Sequence, residues 1–156
     1  MPKMDLPDWV DVSDPQHPIL GGGLGAYRYQ LLSDVGQLSQ FGAFIEELPP
    51  GSASGHRHWH ETEDEMVVVL EGALVLVEDK EVALSRGDVA CWPAGSGIGH
   101  RLENRSDHPA RYLVIGTRNA RDIIHYTDHD LITHKDGETR QYYRRDGARY
   151  AVEAKP

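Results

Sequence analysis

The chain has 156 residues, a length that fits one domain with a buried core. Its 16 basic and 25 acidic residues give a formal net charge of −9, and the absence of any basic block argues against nucleic acid or a membrane surface as a partner. The single cysteine, Cys91, cannot form an internal disulfide, and neither a secretory h-region nor an apolar run near the roughly 20 residues of a membrane span is present, so we expect a cytoplasmic protein.

Residues 1–25 are predicted to form an N-terminal arm. Four prolines and the run Gly21-Gly22-Gly23 oppose a long helix there, although Trp9 needs burial. At the other end, residues 119–156 are polar and contain scattered tyrosines. We expect irregular or edge-strand structure in this C-terminal extension, with a short helix around Arg121 to His125 as an alternative, and we expect it to pack on the barrel or on a partner subunit.

Between these ends, short apolar stretches alternate with turns, which predicts strands. Short strands at regular spacing with glycine and proline turns favour an all-β sandwich or barrel. The predicted strands are Tyr27–Leu32, Gln40–Leu48, the histidine-rich stretch from His56, Glu65–Leu70, Ala73–Glu78, Glu81–Leu84, Val89–Trp92, His100–Asn104 and Arg111–Gly116. Glu71-Gly72 marks a tight reversal between two of these strands.

The stretch from His56 to Glu65 carries the chemistry. Because alternate residues of a strand share a face, His58 and His60 are expected to project the same way. Glu65 opens the following apolar strand, and two imidazoles with a carboxylate make a mixed nitrogen and oxygen site for a divalent transition metal. His100, at the end of a glycine-rich loop, could supply a fourth ligand.

The same stretch resembles the first motif of the cupin family. That motif has a glycine, His-x-His, a glutamate after a gap of about four residues, and a second glycine six residues further on. Here Gly51, His58, His60, Glu65 and Gly72 match it. The resemblance implies a double-stranded β-helix, the cupin jelly-roll barrel, over residues 26–118.

A second cupin motif follows downstream. It runs glycine, Pro-x-Gly, histidine and asparagine, and it is matched by Gly87, Pro93, Gly95, His100 and Asn104, with a longer gap before the histidine. Two ordered motifs are a far stronger signal than one. With the flanking sequence, they resemble the single-domain bacterial cupins (cupin-2 type) that are often labelled sugar-phosphate-isomerase-like.

The resemblance implies that His58, His60, Glu65 and His100 bind one divalent transition metal per chain. Iron, manganese, nickel, cobalt, copper and zinc all suit three imidazoles and one carboxylate. Four protein ligands around a six-coordinate ion leave two positions for a small-molecule substrate. The family also usually forms dimers, which predicts a homodimer here.

The expected function is therefore a metal-dependent enzyme acting on a small, oxygen-rich metabolite such as a sugar, sugar phosphate or keto acid. Its chemistry stays open between isomerase- or epimerase-like and dioxygenase-like. His56 shares the parity of His58 and His60, so it could face the pocket near its rim as a candidate catalytic residue; the alternative role is pocket lining or solvent contact. The alternative from another class is a non-catalytic module that senses a small molecule or a metal. Trp92, Tyr112 and Cys91 are predicted to be buried core residues.

Overall fold

The computed structural model describes residues 3–152, and its regular secondary structure is almost entirely antiparallel strand. In chain order the strands are β1 (Val10–Val12), β2 (Tyr27–Leu31), β3 (Phe41–Leu48), β4 (His58–His60), β5 (Glu65–Glu71), β6 (Ala73–Val77), β7 (Glu81–Ser85), β8 (Val89–Trp92), β9 (Arg101–Glu103), β10 (Ala110–Thr117), β11 (Arg121–Tyr126), β12 (Leu131–Asp136) and β13 (Thr139–Tyr143). One short helix, α1 (Leu32–Val35), interrupts them between β2 and β3. The predicted all-β class is confirmed.

The strands form three sheets. The largest has six strands in the order β1-β2-β3-β10-β5-β8, and a three-stranded sheet has the order β7-β6-β9. The histidine strand β4 belongs to neither of these. It forms one edge of a four-stranded sheet, β13-β12-β11-β4, whose other three strands all come from the C-terminal extension.

Strand alternation explains which side chains enter the core. On β3 the residues Phe44, Glu46 and Leu48 face inward, and on β10 Tyr112 and Val114 do so. The buried hydrophobic cluster consists of Leu48, Val67, Val69, Leu74, Leu76, Leu84, Trp92, Leu102, Ala110, Tyr112 and Val114. Strands from both the six-stranded and the three-stranded sheet contribute, so the two sheets enclose one interior.

The turn at Gly72 is confirmed. Gly72 has a φ of +80°, which only glycine adopts without strain. A Cβ atom there would also lie 2.8 Å from the carbonyl oxygen of Pro109 and 3.0 Å from Cα of Ala110. Both the conformation and the close approach of the neighbouring backbone therefore require glycine at this reversal.

Both chain ends are more regular than their sequences indicate. Part of the arm, β1, extends the six-stranded sheet by pairing with β2. The extension contains three regular strands, and Arg121–Tyr126 is a strand, so the alternative of a short helix there is wrong. Strand geometry is favoured because β4 offers an unpaired edge that β11 fills.

The exposure of Cys91 and the character of the helical structure complete the description of the fold. Cys91 is exposed, because it alternates with the inward-facing Trp92 on β8, so its predicted burial is wrong. No helix within residues 3–152 has the length and apolar character needed to cross a membrane.

Candidate metal centre

Two histidines and a glutamate bring their metal-binding atoms together. His58 and His60 share a face of β4, and Glu65 begins β5. One ligand atom from each of these residues lies within 4.8 Å of the others. The structure thus brings together the first three residues that the sequence singled out, which we call the donor triad.

His100 reaches the donor triad through Glu65. Its Nε2 atom lies 3.4 Å from Glu65 Oε2, and a backbone bridge with His58 holds its main chain. The ring stacks on Trp92 with the centroids 3.6 Å apart and the planes 4° from parallel. The longer loop before His100 therefore still delivers a buried imidazole to the site.

Two of the three imidazoles are fixed by backbone carbonyl groups. The Nδ1 atom of His58 lies 2.7 Å from the carbonyl oxygen of His56, and that of His100 lies 3.1 Å from the carbonyl oxygen of Ile98. A carbonyl oxygen can only accept, so each Nδ1 carries the proton and donates it. The Nε2 lone pair of each ring is then free to bind a metal.

Asp122, on β11, holds the third imidazole. Its Oδ2 accepts from His60 Nδ1 at 2.6 Å, and its Oδ1 accepts from the backbone N–H and the hydroxyl of Thr62, both at 2.9 Å. Burial raises the pKa of Asp122, but these hydrogen bonds outweigh burial and leave the pKa below its usual value. The carboxylate is therefore ionised at neutral pH and keeps His60 in the same tautomer as the other two rings.

A second group of metal-type donors shares His60 with the donor triad. It consists of His60, Glu63 and Asp122. Glu63 forms an ion pair with Lys135, and Asp122 is saturated by His60 and Thr62. These atoms already have partners, so we interpret this group as support for His60.

The electrostatics of the donor triad suit metal binding. Burial raises the pKa of Glu65, but the adjacent His100 side chain and the charge that the nearby imidazoles carry when protonated outweigh it, so the pKa lies below its usual value. Burial, reinforced by His60, lowers the pKa of His58. Neutral imidazoles and an ionised carboxylate are the forms that coordinate metal ions.

The donor triad opens into a cavity of about 340 Å³. This volume falls within the range of small-molecule sites. Across the sheet from Glu65, the aligned residues are Gly116 on β10 and Gly42 on β3, so neither position adds a side chain to the cavity. On the other side Glu65 pairs with Trp92, and the side chain of Arg118 lies against Gly42. Phe44 and Val114 form part of the apolar wall.

A second polar feature of the cavity lies further along β3. Glu46 and Tyr112 are direct cross-strand partners, and the Tyr112 hydroxyl donates a hydrogen bond to Glu46. Burial raises the pKa of Glu46 to about 7; the hydrogen bond opposes this shift and the charge of Glu65 adds to it. The sequence offered one signal for this residue, a glutamate at an inward position between Phe44 and Leu48.

His56 is not among the residues that line the cavity. Residues 54–57 form bends and β4 begins only at His58, so strand alternation does not extend back to His56. Its ring packs edge-on against His129 at 5.1 Å and against His17 at 6.3 Å between centroids. Its contribution to the site is the carbonyl oxygen that orients His58.

Comparison with known proteins points to one family. A family model described as the cupin domain matches residues 44–116. A crystal structure named as a sugar phosphate isomerase from a cupin superfamily, from Silicibacter pomeroyi, is 38% identical and covers 96% of this chain and 97% of that chain with a TM-score of 0.85. No curated protein matches the chain.

More distant structures share the same fold. One from Acidithiobacillus ferrooxidans is 24% identical and covers 86% of each chain with a TM-score of 0.78. A protein called a predicted oxalate decarboxylase, from Thermotoga maritima, is 26% identical and covers 61% of this chain and 83% of that chain with a TM-score of 0.53. These likenesses confirm the jelly-roll barrel expected from the two sequence motifs.

Proposed function

The chain belongs to the cupin superfamily, and from that premise we propose that it is a metal-dependent enzyme acting on a small, oxygen-rich metabolite. His58, His60, Glu65 and His100 would hold one divalent transition metal. The observation that carries this proposal is that hydrogen bonds already hold the imidazoles in the tautomer that can bind a metal. Three imidazoles have Nδ1 engaged by an acceptor, and one partly buried carboxylate lies among them.

The donor set determines which class of metal ion can bind. Three imidazoles and a carboxylate suit iron, manganese, nickel, cobalt, copper or zinc. A metal bound here would act as a Lewis acid that polarises a carbonyl or hydroxyl oxygen. The protein itself supplies a partly apolar cavity, to which Gly42 and Gly116 add no side chain of their own.

The charges around the cavity bear on the class of metabolite. Three cationic side chains line it, and each forms an ion pair with a carboxylate of this chain. The pairs are Arg101 with Glu103, Arg118 with Asp34, and Lys135 with Glu63. The charge of each cation is therefore already balanced by a carboxylate, and of the three only Arg101 keeps a buried donor, Nε, without a hydrogen-bond partner among the described residues. We therefore favour an unphosphorylated sugar or hydroxy-carbonyl compound, although the relative from Silicibacter pomeroyi is named for a sugar phosphate.

Elemental analysis of protein purified without added metal tests the metal centre. We expect close to one equivalent of transition metal per chain and loss of that metal in His60→Ala with an unchanged far-UV circular dichroism spectrum. His134→Ala, which removes an exposed histidine of β12, is the matched control and should keep the metal. Full metal occupancy in His60→Ala would contradict the assignment.

Turnover assays separate an enzyme from a sensor module. The metal-loaded protein is incubated with sugars, sugar phosphates and keto acids, with and without O₂. Conversion without O₂ supports isomerase-like chemistry, and conversion that requires O₂ supports dioxygenase-like chemistry. Saturable binding of these compounds without conversion would instead support the sensor. The homodimer stays a prediction, which sedimentation analysis would test.

A further inference from the structure

We propose that Glu46, held in place by Tyr112, is a catalytic acid–base residue that moves a proton between neighbouring carbon atoms of an α-hydroxy carbonyl substrate. This inference rests on the proposed function and deepens it. It assigns a reaction class, aldose–ketose type isomerisation, to the cavity that contains the donor triad.

The geometry leaves one oxygen of Glu46 available. Glu46 and Tyr112 both line the same cavity as His58 and Glu65. The Tyr112 hydroxyl donates to Glu46 Oε1, whereas Oε2 accepts no hydrogen bond from the residues that the structure describes. Glu46 is 8% exposed. This small exposed area belongs to a residue of the cavity wall, so the free oxygen can meet a bound substrate.

The neighbouring residue shows that Glu46 is not an ordinary buried acid. Glu47 lies on the opposite face of β3, where Arg28 donates to it at 2.8 Å and Arg111 at 2.5 Å. The charge of Glu47 is thus neutralised by two guanidinium groups. Glu46 is buried to a similar degree and has only the Tyr112 hydroxyl as a partner. Burying a carboxyl group without a cation costs stability, which is characteristic of functional sites.

The same surroundings suit proton transfer. Burial raises the pKa of Glu46 to about 7, against the opposing effect of the Tyr112 hydrogen bond. A general acid–base is most effective when its pKa lies near the working pH, because it can then both accept and return a proton. Tyr112 is 1% exposed and is a positioning residue, since it touches Glu46 and not the solvent.

The proposed step is balanced without an oxidant. Glu46 Oε2 takes the proton from the carbon next to the carbonyl group, and the electrons of the broken C–H bond form a C=C bond while the carbonyl π electrons move to oxygen. The resulting enediolate takes the hydroxyl proton from its neighbouring oxygen, and protonated Glu46 returns its proton to the former carbonyl carbon. A single residue returns the proton on the face from which it took it, which favours isomerisation over epimerisation.

Hydrogen–deuterium exchange tests this step. Metal-loaded protein is incubated in D₂O with glycolaldehyde, dihydroxyacetone, fructose or fructose 6-phosphate, and loss of the α-hydrogen signal is followed by NMR. We expect exchange in the wild type and a decrease of at least about 100-fold in Glu46→Gln, which lies within the usual effect of losing a general base. Metal affinity, measured by chelator competition, should be unchanged in the variant. Fructose and its phosphate ester distinguish the two substrate classes.

Two variants keep the test decisive. Glu47→Gln removes a buried carboxylate from the same strand but the opposite face, and it should keep the exchange. Glu46→Asp keeps a carboxyl group on a shorter side chain and replaces Glu46→Gln in the test if that variant does not fold. The rate of substrate hydrogen–deuterium exchange should also decrease in Glu46→Asp. A second readout needs neither metal nor substrate: the infrared carboxyl band that titrates near neutral pH should be lost in Glu46→Gln.

The outcomes separate this inference from the proposed function. Equal exchange in wild type and Glu46→Gln, or no exchange with any probe in wild-type protein that binds metal, would overturn the role of Glu46 and leave the metal centre standing. A titrating band that persists in Glu46→Gln would also overturn it. Failure of the wild type to bind any transition metal would instead refute the proposed function.

Discussion

Replacing Asp122 by asparagine should impair metal binding although Asp122 lies outside the predicted ligand set. The carboxylate is fully buried and accepts on both oxygens, from His60 through Oδ2 and from Thr62 through Oδ1. Asparagine has only one acceptor oxygen. If that oxygen faces Thr62, the NH₂ group faces His60 Nδ1 and forces the proton onto Nε2, which removes the lone pair for the metal. If the oxygen faces His60, the NH₂ group of asparagine faces the backbone N–H of Thr62, and two donors oppose each other without an acceptor.

The expected magnitude follows from this mismatch. The hydrogen bond from His60 to Asp122 is 2.6 Å long and charge-assisted. Loss of such a partner of a metal-binding histidine typically weakens metal affinity by about 10- to 100-fold, which equals about 1.4–2.7 kcal/mol. The assay is competition between the protein and a chromogenic chelator for Co²⁺ or Zn²⁺. Nitrogen-15 NMR of the histidine rings reports the tautomer of His60 independently.

Asp136→Asn is the matched control. Asp136 is an exposed residue of the adjacent strand β12, and it pairs with the exposed Arg121, so its replacement should leave metal affinity unchanged. An Asp122→Asn affinity within about twofold of the wild type, with His60 still protonated on Nδ1, would refute the tautomer reasoning. So would an equal loss of affinity in both variants, because the effect would then be one of general surface charge.

Three further predictions concern Glu46 and the turn at Gly72. Tyr112→Phe removes a donor that favours the ionised form of Glu46, so the infrared titration midpoint of Glu46 should rise above about 7; a fall would contradict the assigned hydrogen bond. Because the pKa of Glu46 is raised in the folded state from 4.5 to about 7, the folded protein binds the extra proton between these pH values and loses stability as pH rises through them. Relative to Glu46→Gln, the free energy of unfolding of the wild type should therefore fall by up to about 3 kcal/mol over this range in denaturant titrations, and parallel pH profiles would refute this. Gly72→Ala should lower the free energy of unfolding by more than about 1 kcal/mol, because the φ of +80° and the carbonyl group of Pro109 both oppose a Cβ atom; unchanged thermal stability would contradict this.

Local patterns in the sequence predicted the strands and the donor triad, and the resemblance to two cupin motifs predicted the double-stranded β-helix. Alternation places His58 and His60 on one face, and an apolar run beginning at Glu65 defines the next strand. His100 was singled out through the resemblance to the second cupin motif, and the longer gap before it left its position open until the structure was known. The donor triad follows from spacing along the chain, whereas the fold and the fourth ligand needed the family resemblance.

The supporting residues were not predictable in the same way. Asp122 meets His60 across 62 positions of sequence, through the pairing of β11 with β4. Nothing local in the polar extension distinguishes Asp122 from its other acidic residues. Strand alternation also has local limits: it does not reach His56, which precedes the start of β4, and it places Cys91 on the outer face of β8 opposite to Trp92.

The donor residues are divided among the three sheets, and this division has a thermodynamic consequence. His58 and His60 belong to the sheet of the extension, Glu65 to the six-stranded sheet, and His100 directly precedes β9 of the third. A metal ion bound where the three sheets meet would link the sheet of the C-terminal extension to the other two sheets. When the free metal concentration is 100 times the dissociation constant, binding would raise the free energy of unfolding by about 2.7 kcal/mol. Amide exchange in β11–β13 should therefore slow when the metal is supplied.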